Sequence, residues 1–293
     1  MRRKAALLVV TTLLAGGCGS LPPEHSRQAD GAPGFQVDVS SIPDAVPRPE
    51  PRSKYGNPES YVVAGRRYRV LASSKGYVER GIASWYGTKF HGRRAAIGEP
   101  YDMFAMTAAH RTLPLPTYAE VTNLENGRKV IVKITDRGPF KANRIIDLSY
   151  AAAAKLGITR TGTGLVEIRA IDPVAWQRAR QRRRQAPPPP KAAGAPSDHD
   201  VHPSVAAPPS RPLPLREAAL YLQIGAFSDR RNAEALRRRL QKLAPDTIRI
   251  VSGNGALPLY KVHIGPLPSV EDADRMTRTL EDMGLGTPRI VIY

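Results

Sequence analysis

The chain has a single cysteine in 293 residues, Cys18, so no intrachain disulfide can form and an oxidising compartment would leave one odd thiol. No apolar run is long enough to span a bilayer; the most apolar segment, Ala5 to Ala15, falls well short. The six histidines are scattered without a His-Glu-x-x-His spacing, and there is no glycine-rich phosphate loop, so neither a metal nor a cofactor is expected. Acidic residues are also scarce: 26 Asp plus Glu face 44 Lys plus Arg, a formal net charge of +18. In a cytosolic protein that balance would suggest nucleic acid.

What is present at the N-terminus redirects the charge. Met1-Arg2-Arg3-Lys4 is a basic start, the run to Ala15 a short apolar region, and Gly16-Gly17-Cys18 a small-residue cut. The segment resembles the bacterial lipobox, with Ala15 where the branched apolar residue usually sits. Cys18 is then the lipid acceptor after removal of residues 1–17. Gly19 directly after it favours the outer membrane under lipoprotein sorting rules. An exported chain excludes nucleic acid as partner, and its charge points to anionic envelope polymers instead. The arginines 178, 180 and 182–184 read as a solvated face before a proline run.

Residues 18–75 and 174–216 are rich in proline and polar residues and read as tethers. About 55 residues of flexible coil would reach on the order of 40 Å. Between and after them lie two domains, residues 76–173 and 217–293. The first is mainly β, with strands expected at 80–86, 118–123, 129–135 and 165–171, and one short helix from Tyr150 to Leu156 between an N-cap Ser149 and a terminating Gly157. The second has the order βαββαβ, with helices near 230–243 and 270–283 covering one face of a four-stranded sheet. Alternation leaves Tyr221, Gln223, Lys261 and His263 on the open face, as a ligand platform or as plain solvated surface.

Chemistry, if any, sits in the β domain. Glu99, His110 and Asp136 are the polar candidates, and Asp136 is the sharpest because it leaves the apolar run Val130 to Ile134 directly into a Gly-Pro turn. Desolvation there raises a carboxyl pKa, as a general acid requires; a turn aspartate paired with Arg137 is the plainer reading. Trp85 could stack on a sugar or belong to the core. Asp147 reads as helping to start the short helix.

The segments Gly81-Ile82-Ala83-Ser84-Trp85-Tyr86-Gly87, Gly98-Glu99, Thr107-Ala108-Ala109-His110, Asp136-Arg137-Gly138-Pro139-Phe140 and Arg144-Ile145-Ile146-Asp147-Leu148-Ser149 resemble, in order, the rare lipoprotein A family. Tyr221-Leu222-Gln223-Ile224-Gly225-Ala226-Phe227 and Tyr260-Lys261-Val262-His263-Ile264-Gly265-Pro266 resemble the sporulation-related repeat (SPOR) domain. The resemblance implies a six-stranded double-psi β-barrel followed by an α+β SPOR domain. It implies lytic transglycosylation of peptidoglycan, with 1,6-anhydro products and a preference for septal strands free of stem peptides. Asp136 would be the acid, Glu99 a polarising or positioning group and His110 a hydrogen-bonding partner, while Gln223, Tyr221, Lys261, His263 and Trp85 would touch glycan. A lipid-anchored protein enriched at the division septum, with division-machinery proteins as partners, follows from the same resemblance. This chain departs from the family's usual pattern at Ala95-Ala96-Ile97, where Thr-Ala-Asn or Thr-Ala-Ser is common, and at Thr135, where Asn is common. Those departures favour the alternative of a non-cleaving glycan binder that ties the outer membrane to the wall.

Overall fold

The computed structural model describes residues 30–185, 218–243, 247–253 and 259–293. Cys18, the signal segment and the linker from 186 onwards lie outside the described residues.

A hairpin of β1 (Ser60–Val63) and β2 (Arg66–Arg69) precedes six strands: β3 (Val78–Tyr86), β4 (Thr107–His110), β5 (Thr117–Asn123), β6 (Lys129–Asp136), β7 (Arg144–Ser149) and β8 (Thr163–Ala170). The six close into a barrel in the order β3-β7-β4-β6-β5-β8. Two pairs, β3 with β7 and β4 with β6, are parallel, and the other four are antiparallel. Alternation drives the closure: Val130, Val132 and Ile134 of β6 and Ala119 and Val121 of β5 are almost wholly buried in one core with Ile146, Leu148, Val166 and Ile168. Helix α1 (Tyr150–Leu156) plugs that core with Ala151, Ala152, Ala153 and Leu156. The Ser149 hydroxyl accepts the Ala152 N–H, and Gly157 ends the helix in the left-handed region at φ 80°.

Strands β4 and β7 were not anticipated from periodicity. Both are buried on nearly every residue, so their sequences, Thr-Ala-Ala-His and Arg-Ile-Ile-Asp-Leu-Ser, carry no period-2 alternation to reveal them.

The expected tether of residues 18–75 is a correction. From Asp30 onwards the segment is packed around the barrel. β4 pairs only with the end of β6 and leaves the edge at Ile131 open; the Asp44 carboxylate accepts the Ile131 N–H at 3.0 Å and the Ile131 carbonyl accepts the Ala45 N–H at 3.0 Å. Asp44 also pairs with Lys155 of α1 at 2.7 Å. Glu50 takes Lys133 at 2.8 Å and the Tyr118 hydroxyl, while the Asn57 amide brackets both backbone groups of Leu115 at 2.8 Å. A polar, proline-rich composition thus belongs here to a strap that completes backbone hydrogen bonds. A second correction is α2 (Pro173–Gln185), a helix where linker was expected; Asp172 accepts the N–H groups of Val174 and Ala175, and no residue of the helix is buried.

The second domain consists of β9 (Leu220–Phe227), α3 (Arg230–Leu240), β10 (Ile248–Ser252), β11 (Tyr260–Leu267), α4 (Val270–Asp282) and β12 (Arg289–Ile292). Its sheet has the order β10-β11-β9-β12, antiparallel throughout. Leu222, Val262 and Ile264 pack under Ala233, Leu240, Ala273 and Leu280 of the helices. Ser269 caps α4 by accepting the Asp272 N–H at 3.1 Å. The domain docks on the barrel: Ile82 and Leu165 join its apolar cluster, Arg144 pairs with Asp274 at 2.8 Å, and the Asn143 amide donates to Thr277 at 2.8 Å.

Candidate active site

A cleft of about 850 Å³ opens where β3 and β6 end and β7 begins, bordered by Trp85, Tyr86, Asp136, Arg137, Arg144 and Asp147. Strand register creates it. Ala109 of β4 lies opposite Asp136 of β6 on one side and Asp147 of β7 on the other, so two carboxylates flank one small side chain. Gly138, at φ 143°, keeps the turn thin; a Cβ there would stand 3.7 Å from Asp147 Oδ2.

Asp136 ends β6. Its Oδ1 accepts the main-chain N–H of Ala96 at 2.7 Å and of Arg137 at 2.8 Å. Burial raises its pKa, against the pull of those two donors and the Arg137 charge. The Arg137 guanidinium does not pair with it; it donates instead to the carbonyls of Gly56 (2.8 Å), His110 (3.0 Å) and Leu113 (2.6 Å). Burial pushes Arg137 down to about 10, which leaves it charged at neutral pH. The strap thereby supports the aspartate's turn.

Asp147 was assigned to helix initiation from the sequence, and the structure corrects this. Ser149 makes the cap, while Asp147 faces the cleft and accepts a hydrogen bond from the Ser84 hydroxyl. Its pKa is raised by burial and by the nearby Asp136 charge, opposed by Ser84, Arg144 and Arg111. An Asp in register with Asp136 across a short strand was legible only once β4 was known to exist.

The other candidates fall in different places. Glu99 is exposed on the loop 94–100, whose Ala96 supplies a donor to Asp136, and it does not border the cleft. His110 is 2% exposed, with both ring nitrogens engaged: Nδ1 accepts the N–H groups of Thr112 (3.1 Å) and Leu113 (3.0 Å), and Nε2 meets the Tyr77 hydroxyl at 3.0 Å. Its pKa is lowered by burial, although Glu79 opposes this. Trp85 borders the cleft and packs edge-on against Tyr150, centroids 5.7 Å apart. The departures at 95–97 and 135 meet the site through backbone: Ala96 N–H bonds Asp136, and Ile97 N–H bonds the Thr135 carbonyl at 3.0 Å. Neither contact depends on which side chains those positions carry.

On the second domain's open face, Gln223 lies opposite both His263 and Arg289. His263 corrects the expectation of an exposed ligand contact: it is 1% exposed, covered by its partners, with the Gln223 amide oxygen 3.3 Å from Nε2 and the Tyr293 hydroxyl 3.3 Å from Nδ1. Tyr221 packs edge-on against Tyr293 at 5.3 Å. Lys261 lies opposite Ala226 on β9 and Val251 on β10. Arg289 and Tyr293, absent from the expected set, belong to this face because β12 is its edge strand. Among the described residues no cluster suited to a metal ion is present.

Comparison with known proteins agrees with this architecture. The lytic transglycolase family matches residues 78–168 and the SPOR domain family residues 217–287. A protein of Pseudomonas aeruginosa (strain UCBPP-PA14) named endolytic peptidoglycan transglycosylase RlpA is 43% identical over 298 residues, covering 92% of this chain and 86% of its own. One of the same name from Vibrio cholerae serotype O1 is 47% identical over 165 residues, covering 56% of this chain and 62% of its own. The crystal structure of the RlpA SPOR domain from Pseudomonas aeruginosa is 32% identical, covering 25% of this chain and 96% of that one, with a TM-score of 0.24. Identity at this level through most of both full chains, over a six-stranded barrel followed by a βαββαβ domain, makes this chain a member of the RlpA family.

Proposed function

We propose that the protein is a lytic transglycosylase acting on peptidoglycan glycan strands, and that Asp136 and Asp147 are its coupled acid pair. The observation that carries this reading is the two desolvated carboxyls on either side of Ala109, each with its pKa raised by burial. A carboxyl so raised keeps its proton to higher pH than a free aspartate does, and the Asp136 charge adds to that effect at Asp147. Asp136 gives that proton to the glycosidic oxygen after N-acetylmuramic acid, and the bond from C1 to that oxygen breaks. The C6 hydroxyl of the same sugar then bonds to C1 and returns its proton to Asp136, leaving a 1,6-anhydro end with no water consumed. The two main-chain donors on Asp136 Oδ1 stabilise the carboxylate present between those transfers. Asp147, with one hydroxyl donor, keeps the pair protonated at rest and offsets positive charge developing at C1.

His110 acts in this reading through others. It fixes the backbone at 112–113, whose neighbourhood anchors Arg137, and so holds the Asp136 turn. Glu99 remains a positioning residue at the outer end of the loop that donates to Asp136. Gln223, Tyr221 and Lys261, together with Arg289 and Tyr293, form the glycan-gripping face, with His263 orienting Gln223 and Tyr293 from within the sheet, and Trp85 a wall of the cleft. The preference for denuded septal strands, the lipid anchor at Cys18 in the outer membrane and contacts with division proteins complete the proposal.

The test is muropeptide mass spectrometry on stem-peptide-free strands. Anhydro ends should accumulate with the native protein and be absent with Asp136→Asn. Unchanged product formation by that variant would remove Asp136 from the mechanism.

A further inference from the structure

A second cavity, of about 380 Å³, lies behind the cleft between β2, β3, β7 and the docked second domain. Five arginines line it, Arg66, Arg80, Arg111, Arg144 and Arg289, against one carboxylate, Glu79. Arg80 is committed to Glu167 and Arg144 to Asp274, each at 2.8 Å. Arg66, Arg111 and Arg289 have no carboxylate within ion-pair distance among the described residues, and Glu79 is held by the Tyr77 hydroxyl and lies 3.7 Å from His110. The pocket thus carries surplus positive charge in a recess, the arrangement that captures a carboxylate or phosphate. A second observation points the same way. Arg144 is 3% exposed, its Nε has no hydrogen-bond partner among the described residues, and it lines both this pocket and the cleft that holds Asp136 and Asp147. One guanidinium N–H thus stays unpaired at the wall the two recesses share.

We propose that this arginine pocket is an anion subsite for a carboxylate borne by the glycan, namely the free lactyl group of an N-acetylmuramic acid residue that has lost its stem peptide. The inference rests on the transglycosylase reading and deepens it. Removing a stem peptide converts an uncharged lactyl amide into a carboxylate, and so creates the one charge that separates a denuded repeat from a substituted one at that atom. Arginine reads a carboxylate through paired N–H donors, which an amide cannot match. The pocket would therefore select strands already stripped of peptide, using residues from both domains.

The experiment compares three substrates with the full chain: denuded strands, denuded strands whose lactyl carboxylates are coupled to methylamine, and peptide-bearing strands. For the native protein, kcat/KM for anhydro-end formation should be about tenfold higher on the carboxylate form than on its methylamide, the size of one charge-assisted contact. In the double variant Arg66→Gln, Arg111→Gln that ratio should fall towards one. Because the ratio is internal to each variant, a partly unfolded preparation does not mimic the result. Retention of the first two substrates by Asp136→Asn gives the same ratio without turnover. Equal handling of carboxylate and methylamide by the native protein, or a ratio untouched in the double variant, overturns the subsite. Peptide-bearing strands cleaved fastest, with that advantage lost in the double variant, would assign the pocket to stem-peptide carboxylates and overturn it equally. Absence of anhydro ends on all three while denuded strands are still retained would sink the transglycosylase reading and leave the retention ratio to judge the subsite.

Discussion

In the proposed mechanism Asp136 and Asp147 trade stability for chemistry. A carboxyl whose folded pKa lies above its unfolded value of about 3.9 binds its proton more tightly in the folded state, so stability falls as pH rises from the unfolded value through the folded one. Replacing either by Asn removes that slope. We predict that Asp147→Asn loses activity by at least about 100-fold yet melts no lower than the native protein at pH 7, with the advantage shrinking towards pH 4 when melting is followed at both. His110 has the opposite sign. Its folded pKa is depressed, so unfolding takes up a proton and native stability should decline as pH drops below about 6.5. His110→Ala strands the Thr112 and Leu113 N–H groups and should cost about 2–3 kcal/mol in urea titration, while leaving the pH dependence of kcat unmoved in shape. A displaced acidic limb would make His110 catalytic after all. Asp136 was legible in the sequence because an apolar run ends on it at a Gly-Pro turn. Asp147 was not, because its meaning depends on register with a strand of four residues.

At the level of elements, the barrel depends on a segment that its composition disguised. Alternation locates β5, β6 and β8, an extended apolar and aromatic run locates β3, and the caps Ser149 and Ser269 mark the starts of α1 and α4. Residues 30–58 contribute few apolar side chains to the core, so hydropathy cannot report their packing. They contribute hydrogen bonds, and those are specified by geometry rather than by period. Although burial pushes the Glu50 carboxyl up, hydrogen bonds from Lys133, Tyr118 and Arg48 bring it down to about 2, so its support is present above the ordinary carboxylate range and fades only as pH falls towards that value. A barrel beginning at residue 76 should therefore unfold at lower urea concentration than one beginning at residue 30. It should also lose turnover, since Gly56 and Asn57 hold Arg137. Equal midpoints for the two would mean that the strap merely lies on the surface.

Across the whole molecule, the second domain closes one side of the candidate cleft, with Glu271 and Asp274 of α4 at its border. The joint is centred on Arg144, almost fully buried against Asp274. Breaking a buried pair strands a charge, and Asp274→Ala should weaken docking by about 3 kcal/mol, visible as a longer separation between fluorophores placed on the two domains. Both domains should stay folded in that variant; a collapse of the barrel would contradict the division between them. The order of domains could be read from the sequence, since proline-rich composition separates two periodic regions, but their contact could not, because it uses isolated residues such as Ile82 and Asn143. Running the reaction on denuded strands in water enriched in heavy oxygen distinguishes internal attack by a sugar hydroxyl from attack by water. Internal attack gives anhydro ends with no label incorporated. Labelled reducing ends would mean that water is the nucleophile and that Asp136 and Asp147 serve a hydrolase.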